Sequence, residues 1–232
     1  MIRLHKSCAF VGAALAALSA QFAHAEFEFN ENDRIAFIGN ALADRFQHSG
    51  WLETYLQAAN PYKHLVIRNL GFTGDRVNFR PRNEGFTPPD EYLTHVGADV
   101  IFAFFGYNES FDEDPASFRE ELTKFIEETA TKKYNGESAP RIVLFSPIAF
   151  ENHNSPNFPS GEERNEWLST YADTMAGVAR RNKVTFVDLY YPSEERYEST
   201  DEPLTINGVH LTDEGNRQIA QIIVKELCGE VP

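Results

Sequence analysis

The clearest pattern along the chain is a series of five short runs in which most consecutive residues are apolar. A strand exposed on one face alternates apolar and polar residues, whereas a strand covered on both faces is apolar at successive positions. The runs are Arg34–Gly39, His64–Gly71, Asp99–Gly106, Arg141–Pro147 and Val184–Tyr190. They predict the strands of a parallel sheet that is buried on both faces.

Between and after these runs, apolar residues recur three and four positions apart, as on one face of a helix. These stripes are Phe118, Leu122, Phe125 and Ile126; Trp167, Leu168, Tyr171, Met175 and Val178; and Ile219, Ile222, Ile223 and Leu227. A further helix is predicted within Leu42–Ala59, with a break near Gly50. This alternation of strands and helices predicts β-α-β units, and hence a doubly wound parallel sheet of the α/β class.

Two predicted connections are unusually long, residues 72–95 after the second run and residues 149–165 after the fourth. Long loops are uncommon in compact α/β domains and often carry function. Both loops follow a strand, so both belong to the carboxyl edge of the sheet, where ligands bind in open α/β folds. We therefore expect a binding crevice at this edge.

The first 25 residues have the three parts of a secretory signal peptide. Arg3 and Lys6 precede the short apolar run Cys8–Ala20, and Ala23-His24-Ala25 supplies the small residues of a cleavage site before Glu26. The run is too short for a comfortable membrane span, although an uncleaved anchor is the alternative. Cys8 opens the apolar run instead of following it, which argues against a lipoprotein. We expect a domain of residues 26–232 in a secreted or periplasmic protein without a stable membrane anchor.

Composition and charge narrow the function further. The formal charge is −14, and removal of two basic leader residues would make it −16. Such acidity disfavours nucleic acid as the main partner, because nucleic acid selects basic patches. Cleavage would leave Cys228 as the single cysteine, which excludes a disulfide scaffold and a cysteine-rich metal centre.

The sequence also lacks the common cofactor and metal motifs. It has no P-loop, no Gly-x-Gly-x-x-Gly turn after the first strand and no Gly-x-Ser-x-Gly elbow. The histidines are scattered along the chain and do not have the spacing of metal ligands; they include His48, His64, His95 and His153. No metal and no cofactor are therefore expected.

Four short segments follow predicted strands or precede the last predicted helix. They are Gly39-Asn40-Ala41-Leu42, Asn69-Leu70-Gly71-Phe72-Thr73-Gly74-Asp75, Gly106-Tyr107-Asn108-Glu109 and Asn207-Gly208-Val209-His210-Leu211. In this order they resemble the SGNH/GDSL hydrolase superfamily, and the resemblance covers essentially all of residues 26–232. It implies a flavodoxin-like three-layer α/β/α fold with a five-stranded parallel sheet, and ester hydrolysis without a cofactor.

The resemblance also assigns roles to individual residues. The Gly74 backbone N–H and the Asn108 side chain would form the oxyanion hole, and His210 would be the catalytic base. The nucleophile position falls on Ala41 and the acid position on Asn207, so the serine and the aspartate of the family are both replaced. Asn40, beside the nucleophile position, completes the candidate catalytic residues.

Alanine cannot attack a carbonyl carbon, so three interpretations are open. His210 could activate water directly. Another hydroxyl could act instead, from Thr73, Ser110 or Ser146, although such residues more often cap turns and helices. The site could also bind a saccharide without turnover, and a vestigial crevice in an interaction protein is a weaker alternative.

Several residues could bind the substrate, for which we expect a small-molecule or saccharide ester. Arg76, Arg80 and Arg82 lie in one loop and could clamp an anionic group, although pairing with the protein's own acids is the simpler interpretation. Asn152 lies in the second long loop, whose amides suit sugar hydroxyls, and Ser146 ends the fourth strand. Asp44 and Asp75 are nearby acids that could cap, pair or orient an imidazole.

Overall fold

The computed structural model describes residues 26–81 and 85–232. The predicted leader, residues 1–25, and Arg82 lie outside the described residues. The strands are β1 (Arg34–Gly39), β2 (Val66–Asn69), β3 (Val100–Phe104), β4 (Arg141–Phe145) and β5 (Thr185–Val187). They form one parallel sheet in the order β2-β1-β3-β4-β5. This order confirms the predicted flavodoxin-like fold with a five-stranded parallel sheet.

Helices cover both faces of this sheet. They are α1 (Ala41–Ser49), α2 (Trp51–Ala59), α3 (Pro89–Val96), α4 (Pro115–Thr129), α5 (Glu162–Asn182), α6 (Tyr190–Ser199) and α7 (Asp213–Cys228). The predicted break near Gly50 is confirmed, since this residue has a φ of 69° between α1 and α2. Among the helices of residues 26–81 and 85–232, none is long and apolar enough to cross a membrane.

The consecutive apolar residues of each strand are explained by two separate cores. Phe37 and Phe102 point to the layer of α1, α2 and α7, and their rings stack with centroids 5.4 Å apart. Their neighbours Ala36 and Ile101 belong to the opposite core, with α4 and α5. A strand in this setting has no exposed face, which is why a run of apolar residues predicted it correctly.

Several element boundaries differ from the sequence prediction. The predicted last strand, Val184–Tyr190, is only three residues long in the structure, because Tyr190 already begins α6. The first long connection contains the helix α3. Its first turn has a proline followed by Asp90 and Glu91, and these residue types favour the start of a helix. The second connection is shorter than predicted, since α5 begins at Glu162.

Candidate active site

A tight turn joins β1 to α1 at the carboxyl edge of the sheet. Gly39 has a φ of 116°, and a Cβ at this position would overlap the Phe104 carbonyl oxygen of β3. Asn40 is buried and caps α1, because its Oδ1 accepts the Leu42 N–H at 3.0 Å. Ala41 is therefore the first residue of the helix, at the end of a central strand.

The side chain of His210 is oriented by Asn207. Nδ1 of the imidazole lies 3.1 Å from Oδ1 of Asn207. The same oxygen accepts the backbone N–H groups of Val209 at 3.3 Å and of His210 at 3.0 Å, which identifies it as an acceptor. Nδ1 must then carry the proton, and Nε2 keeps a lone pair for which residues 26–81 and 85–232 offer no hydrogen-bond donor. A neutral imidazole in this tautomer can act as a base.

Burial lowers the pKa of the His210 imidazole from its ordinary value of 6.5, and the nearby positive charge of Arg45 lowers it further. Asn207 has no charge with which to oppose these two effects. The imidazole is therefore neutral at pH 7, in the form that accepts a proton. It is also a weaker base than an imidazole held by a carboxylate.

The loop that carries His210 is anchored by a buried carboxylate. Oε1 of Glu151 accepts the Leu204 N–H at 2.9 Å, and Oε2 accepts the Thr205 N–H at 2.6 Å and the Thr205 hydroxyl at 2.5 Å. The Thr205 hydroxyl oxygen in turn accepts the Gly208 N–H at 2.9 Å. These bonds tie the segment before His210 to the loop after β4.

Replacing Glu151 by glutamine is expected to destabilise the fold by about 2–3 kcal/mol, because an amide nitrogen would face backbone donors in a buried site. Urea unfolding measures the loss, and the exposed Glu163→Gln serves as the matched control. Ester hydrolysis should fall as well, since the His210 loop loses its anchor. Equal stability of the two variants would contradict this role of Glu151.

Ala41 and His210 border the same cavity. The polar residues of its wall are Asn40, Arg45, Tyr107, Ser146, His210 and Asn216, and much of the remaining wall is apolar. The centre of a water molecule can occupy about 20 Å³ of this cavity, which is room for about one water. The structure thus places His210, the predicted base, and Ala41, at the predicted nucleophile position, beside a space for about one water molecule.

The predicted oxyanion donors lie at the same edge of the sheet but outside the wall of this cavity. Gly74 has a φ of 94° in the turn after β2. Nδ2 of Asn108 donates to the Asp75 carbonyl at 2.9 Å, which uses one of its two N–H groups. Ala41, whose N–H group stands at the start of α1, does border the cavity.

Glu109 holds the two loops with the predicted donors together. Its Oε1 accepts the Val77 N–H at 2.8 Å and its Oε2 accepts the Gly106 N–H at 2.9 Å. Burial raises the pKa of this carboxyl, whereas the two backbone N–H bonds act in the opposite direction. Glu109 therefore holds the loops after β2 and β3 in position relative to each other.

The hydroxyl of Ser146 borders the cavity but is fully engaged. It accepts the N–H groups of Leu189 at 2.7 Å and Tyr190 at 3.1 Å, and it lies 3.0 Å from Oδ1 of Asp188. These bonds begin α6 and close its first turn. The structure therefore favours the capping interpretation of Ser146 over a substitute nucleophile.

The other two hydroxyls are also bonded. Ser110 donates to the Tyr107 carbonyl at 2.7 Å, and its oxygen accepts from Arg164 at 3.2 Å. Thr73 donates to Asp44 at 3.0 Å on the exposed surface. Neither Ser110 nor Thr73 borders the cavity beside His210, so the structure favours turn and pairing roles for both.

The arginine loop pairs with the protein's own acids. Arg76 forms an ion pair with Asp112, which raises the pKa of its guanidinium. Arg80 lies 3.6 Å from Asp75 and 4.8 Å above the Phe105 ring. It borders a separate cavity rather than the one beside His210. The structure thus supports the simpler interpretation for Arg76 and Arg80, and an anion clamp formed by them is not supported.

Asn152 is exposed, and its Oδ1 accepts the Asn154 N–H at 2.8 Å within the loop after β4. It does not border the cavity. Its contact with a saccharide stays a prediction.

Two polar residues of the cavity wall, Arg45 and Asn216, were not among the predicted site residues. Arg45 lies four positions after Ala41 on α1, so helical spacing places both on one face, and this signal could have found it. Asn216 lies in the first turns of α7. No motif in the sequence marks Asn216, because its place in the wall depends on how α7 packs against α1.

The sequence matches the GDSL-like lipase/acylhydrolase family over residues 37–218. No curated protein sequence matches the chain at a significant level. Among solved structures, a variant of the acetyl-xylooligosaccharide esterase Axe2 from Geobacillus stearothermophilus superposes with a TM-score of 0.67 at 17% identity. The alignment covers 87% of this chain and 96% of that one. Alanine variants of a serine, an aspartate and a histidine in Axe2 are each described as catalytic mutants.

Two further structures share the fold. LAE5, an alpha/beta hydrolase enzyme from the metagenome of Lake Arreo in Spain, superposes with a TM-score of 0.66 at 16% identity, over 86% of this chain and 97% of that one. BT4096, a gut microbial diltiazem-metabolizing enzyme, superposes with a TM-score of 0.63 at 19% identity, over 87% of this chain and 48% of that one. At such identities the superpositions establish the common fold alone.

Proposed function

The chain belongs to the GDSL-like lipase/acylhydrolase family, and we propose that it hydrolyses esters of small acyl groups by an altered catalytic centre. In this centre His210 activates a water molecule, because the position of the family's serine is occupied by Ala41. The observation that carries the proposal is the contact between Nδ1 of His210 and Oδ1 of Asn207, at 3.1 Å. The acceptor oxygen of Asn207 keeps the proton on Nδ1, so the lone pair is on Nε2. His210 borders the same cavity as Ala41.

The reaction would proceed without an acyl-enzyme. Nε2 of His210 takes a proton from water while the water oxygen bonds to the ester carbonyl carbon, and the carbonyl electron pair moves to its oxygen. The Ala41 N–H at the start of α1 can donate to this oxyanion, since the first N–H groups of a helix lack intrahelical partners. When the tetrahedral intermediate collapses, the alcohol oxygen leaves with the proton from His210. The products are a carboxylic acid and an alcohol.

The cavity holds about one water molecule, so the acyl group must lie at its mouth beside that water, which favours a short group such as acetyl. Axe2 is described as an acetylxylan esterase, which makes acetylated xylo-oligosaccharides a reasonable first substrate. Exposed rings on the loops after β3 and β4, Phe111 and Phe158, could stack on sugar rings. A saccharide ester is therefore our preferred substrate class.

Replacing His210 by alanine tests this function directly. General-base assistance contributes roughly 10²–10⁴-fold, and we expect a loss of about 10² because the imidazolium of His210 has no carboxylate beside it. Rates are measured on an activated acetyl ester and on acetylated xylo-oligosaccharides, with His95→Ala as the control, since His95 is an exposed residue at the end of α3. Equal rates for His210→Ala and the wild type would rule out His210-dependent catalysis on these substrates.

The lowered pKa of His210 predicts where activity is lost at low pH. The base is the neutral imidazole, so kcat/KM should rise as the pH increases through the pKa of His210 and then level off. Because burial and Arg45 lower this pKa, the midpoint should lie below the ordinary 6.5. A pH profile of kcat/KM measures it, and a midpoint at or above the ordinary value would contradict the described environment of His210.

A second function is favoured by Ala41 itself, namely saccharide binding without turnover. It predicts binding of xylo-oligosaccharides by calorimetry together with the same slow hydrolysis in the wild type and in His210→Ala.

We also propose that the leader predicted for residues 1–25 directs export of the chain to a secreted or periplasmic location.

A further inference from the structure

Two residues that border the cavity each have a buried polar atom with no hydrogen-bond partner among the described residues. The two atoms are Nε of Arg45 and Oδ1 of Asn216. Asn216 is only 7% exposed, and its Nδ2 is already bonded to the Thr212 carbonyl at 2.8 Å. Arg45 forms no ion pair with any acid of residues 26–81 and 85–232. Buried polar atoms in native proteins are rarely left in this state, so each requires an explanation.

The two atoms are chemically complementary to one kind of ligand. Nε of Arg45 can only donate, and Oδ1 of Asn216 can only accept. A small anion would satisfy the arginine but would repel the amide oxygen, and a cation would do the reverse. Water satisfies both atoms, and the space available to it is about 20 Å³, sufficient for about one molecule.

His210 borders the same cavity and has an unpaired lone pair on Nε2. We propose that Arg45, Asn216 and His210 bind the water that attacks the ester, in the place of the hydroxyl that Ala41 lacks. This water donates one hydrogen to Nε2 of His210 and the other to Oδ1 of Asn216, and it accepts the Nε–H of Arg45. Its second lone pair remains for the carbonyl carbon.

This arrangement gives each residue a separate task in the proposed hydrolysis, on which the inference rests. His210 removes the proton that leaves the water during attack. Asn216 holds the other hydrogen and so orients the lone pair. The positive charge of Arg45 stabilises the negative charge that develops on the water oxygen as its proton leaves.

A high-resolution crystal structure of the protein tests the site without reference to activity. An ordered water within hydrogen-bond distance of Arg45 Nε, Asn216 Oδ1 and His210 Nε2 is expected, and it should be absent in Asn216→Leu. A wild-type structure in which no water contacts these three atoms would overturn the inference.

Kinetics on an activated acetyl ester provide the second test. Asn216→Leu should lower kcat by roughly 10–10²-fold with little change in KM, because the nucleophile is misplaced while the ester still binds. Arg45→Met should lower kcat and move the acid limb of the pH profile upward, and Arg45→Lys should recover part of the loss. Asn182→Leu is the matched control, since Asn182 makes the same bond to a carbonyl four residues earlier, within α5.

The outcomes separate this inference from the proposed function. If the water is present but the wild type hydrolyses no ester, the proposed function fails and the water site stands. If His210→Ala inactivates the protein while Asn216→Leu behaves like Asn182→Leu, the proposed function stands and the assignment of Asn216 fails.

Discussion

Replacing Ala41 by serine is expected to raise ester hydrolysis by roughly 10²–10³-fold. Loss of the serine from a complete triad costs about 10⁶-fold, and only part of this can return here because the acid position holds Asn207. The new hydroxyl would stand on the first residue of α1, after the tight turn at Gly39, in the cavity that His210 also borders. His210 would then take the proton of a serine instead of a water.

Because Ala41→Ser would replace attack by water with attack by a serine, the variant can be tested by its covalent intermediate as well as by its rate. An acetyl ester should give a burst of product and an acetyl group on the new serine, which intact mass spectrometry detects. The wild type and the control variant Ala41→Gly should show neither. A folded Ala41→Ser protein without any gain would mean that Nε2 of His210 is not directed at this position, and it would remove the basis for carrying the family's geometry to this site.

The bound-water inference adds a further expectation for the same variant. The serine hydroxyl and the proposed water would occupy one region of the cavity. The Ala41→Ser structure should therefore show the hydroxyl close to the site of the water, with Arg45 and Asn216 unchanged.

The strands and the cavity differ in how far the sequence determines them. A strand such as β3 is apolar along its whole length because helices cover both of its faces, and this property is local. Asn40 was predicted as a candidate catalytic residue, and the structure shows it as the cap of α1. The placement of Ala41 near His210 was implied by the resemblance to the SGNH/GDSL superfamily, because His210 precedes α7 and follows no strand of the sheet.

Features that depend on distant partners were not predictable. The Ser146 hydroxyl is engaged by the backbone of residues 189 and 190, more than forty positions away. The interaction of Arg76 with Asp112 spans 36 positions. The helix α6 has few apolar residues and so had no clear helical period, and its first residue, Tyr190, was predicted as the end of the last strand.

The acid position carries the second large expected effect. Changing Asn207 to aspartate in the Ala41→Ser protein should add a further ~10²-fold, so that the double variant exceeds the wild type by roughly 10⁴–10⁵-fold. In a serine protease the aspartate-to-asparagine change costs about 10⁴-fold, in part because it leaves the imidazole in the wrong tautomer. Asn207 already holds the correct tautomer here, since its Oδ1 faces Nδ1 of His210. Only the contribution of the negative charge remains to be gained.

That charge should also move the pH profile. A carboxylate beside His210 stabilises the imidazolium and raises its pKa, against the lowering by burial and by Arg45. The acid limb of kcat/KM should shift upward in Asn207→Asp and in the double variant, whereas Asn207→Leu, which removes the acceptor of the Nδ1 proton, should lose activity. If Asn207→Leu matched the wild type, the orientation of His210 by Asn207 would have no role in catalysis. A gain in rate without a shift of the limb would show that the carboxylate acts on something other than His210.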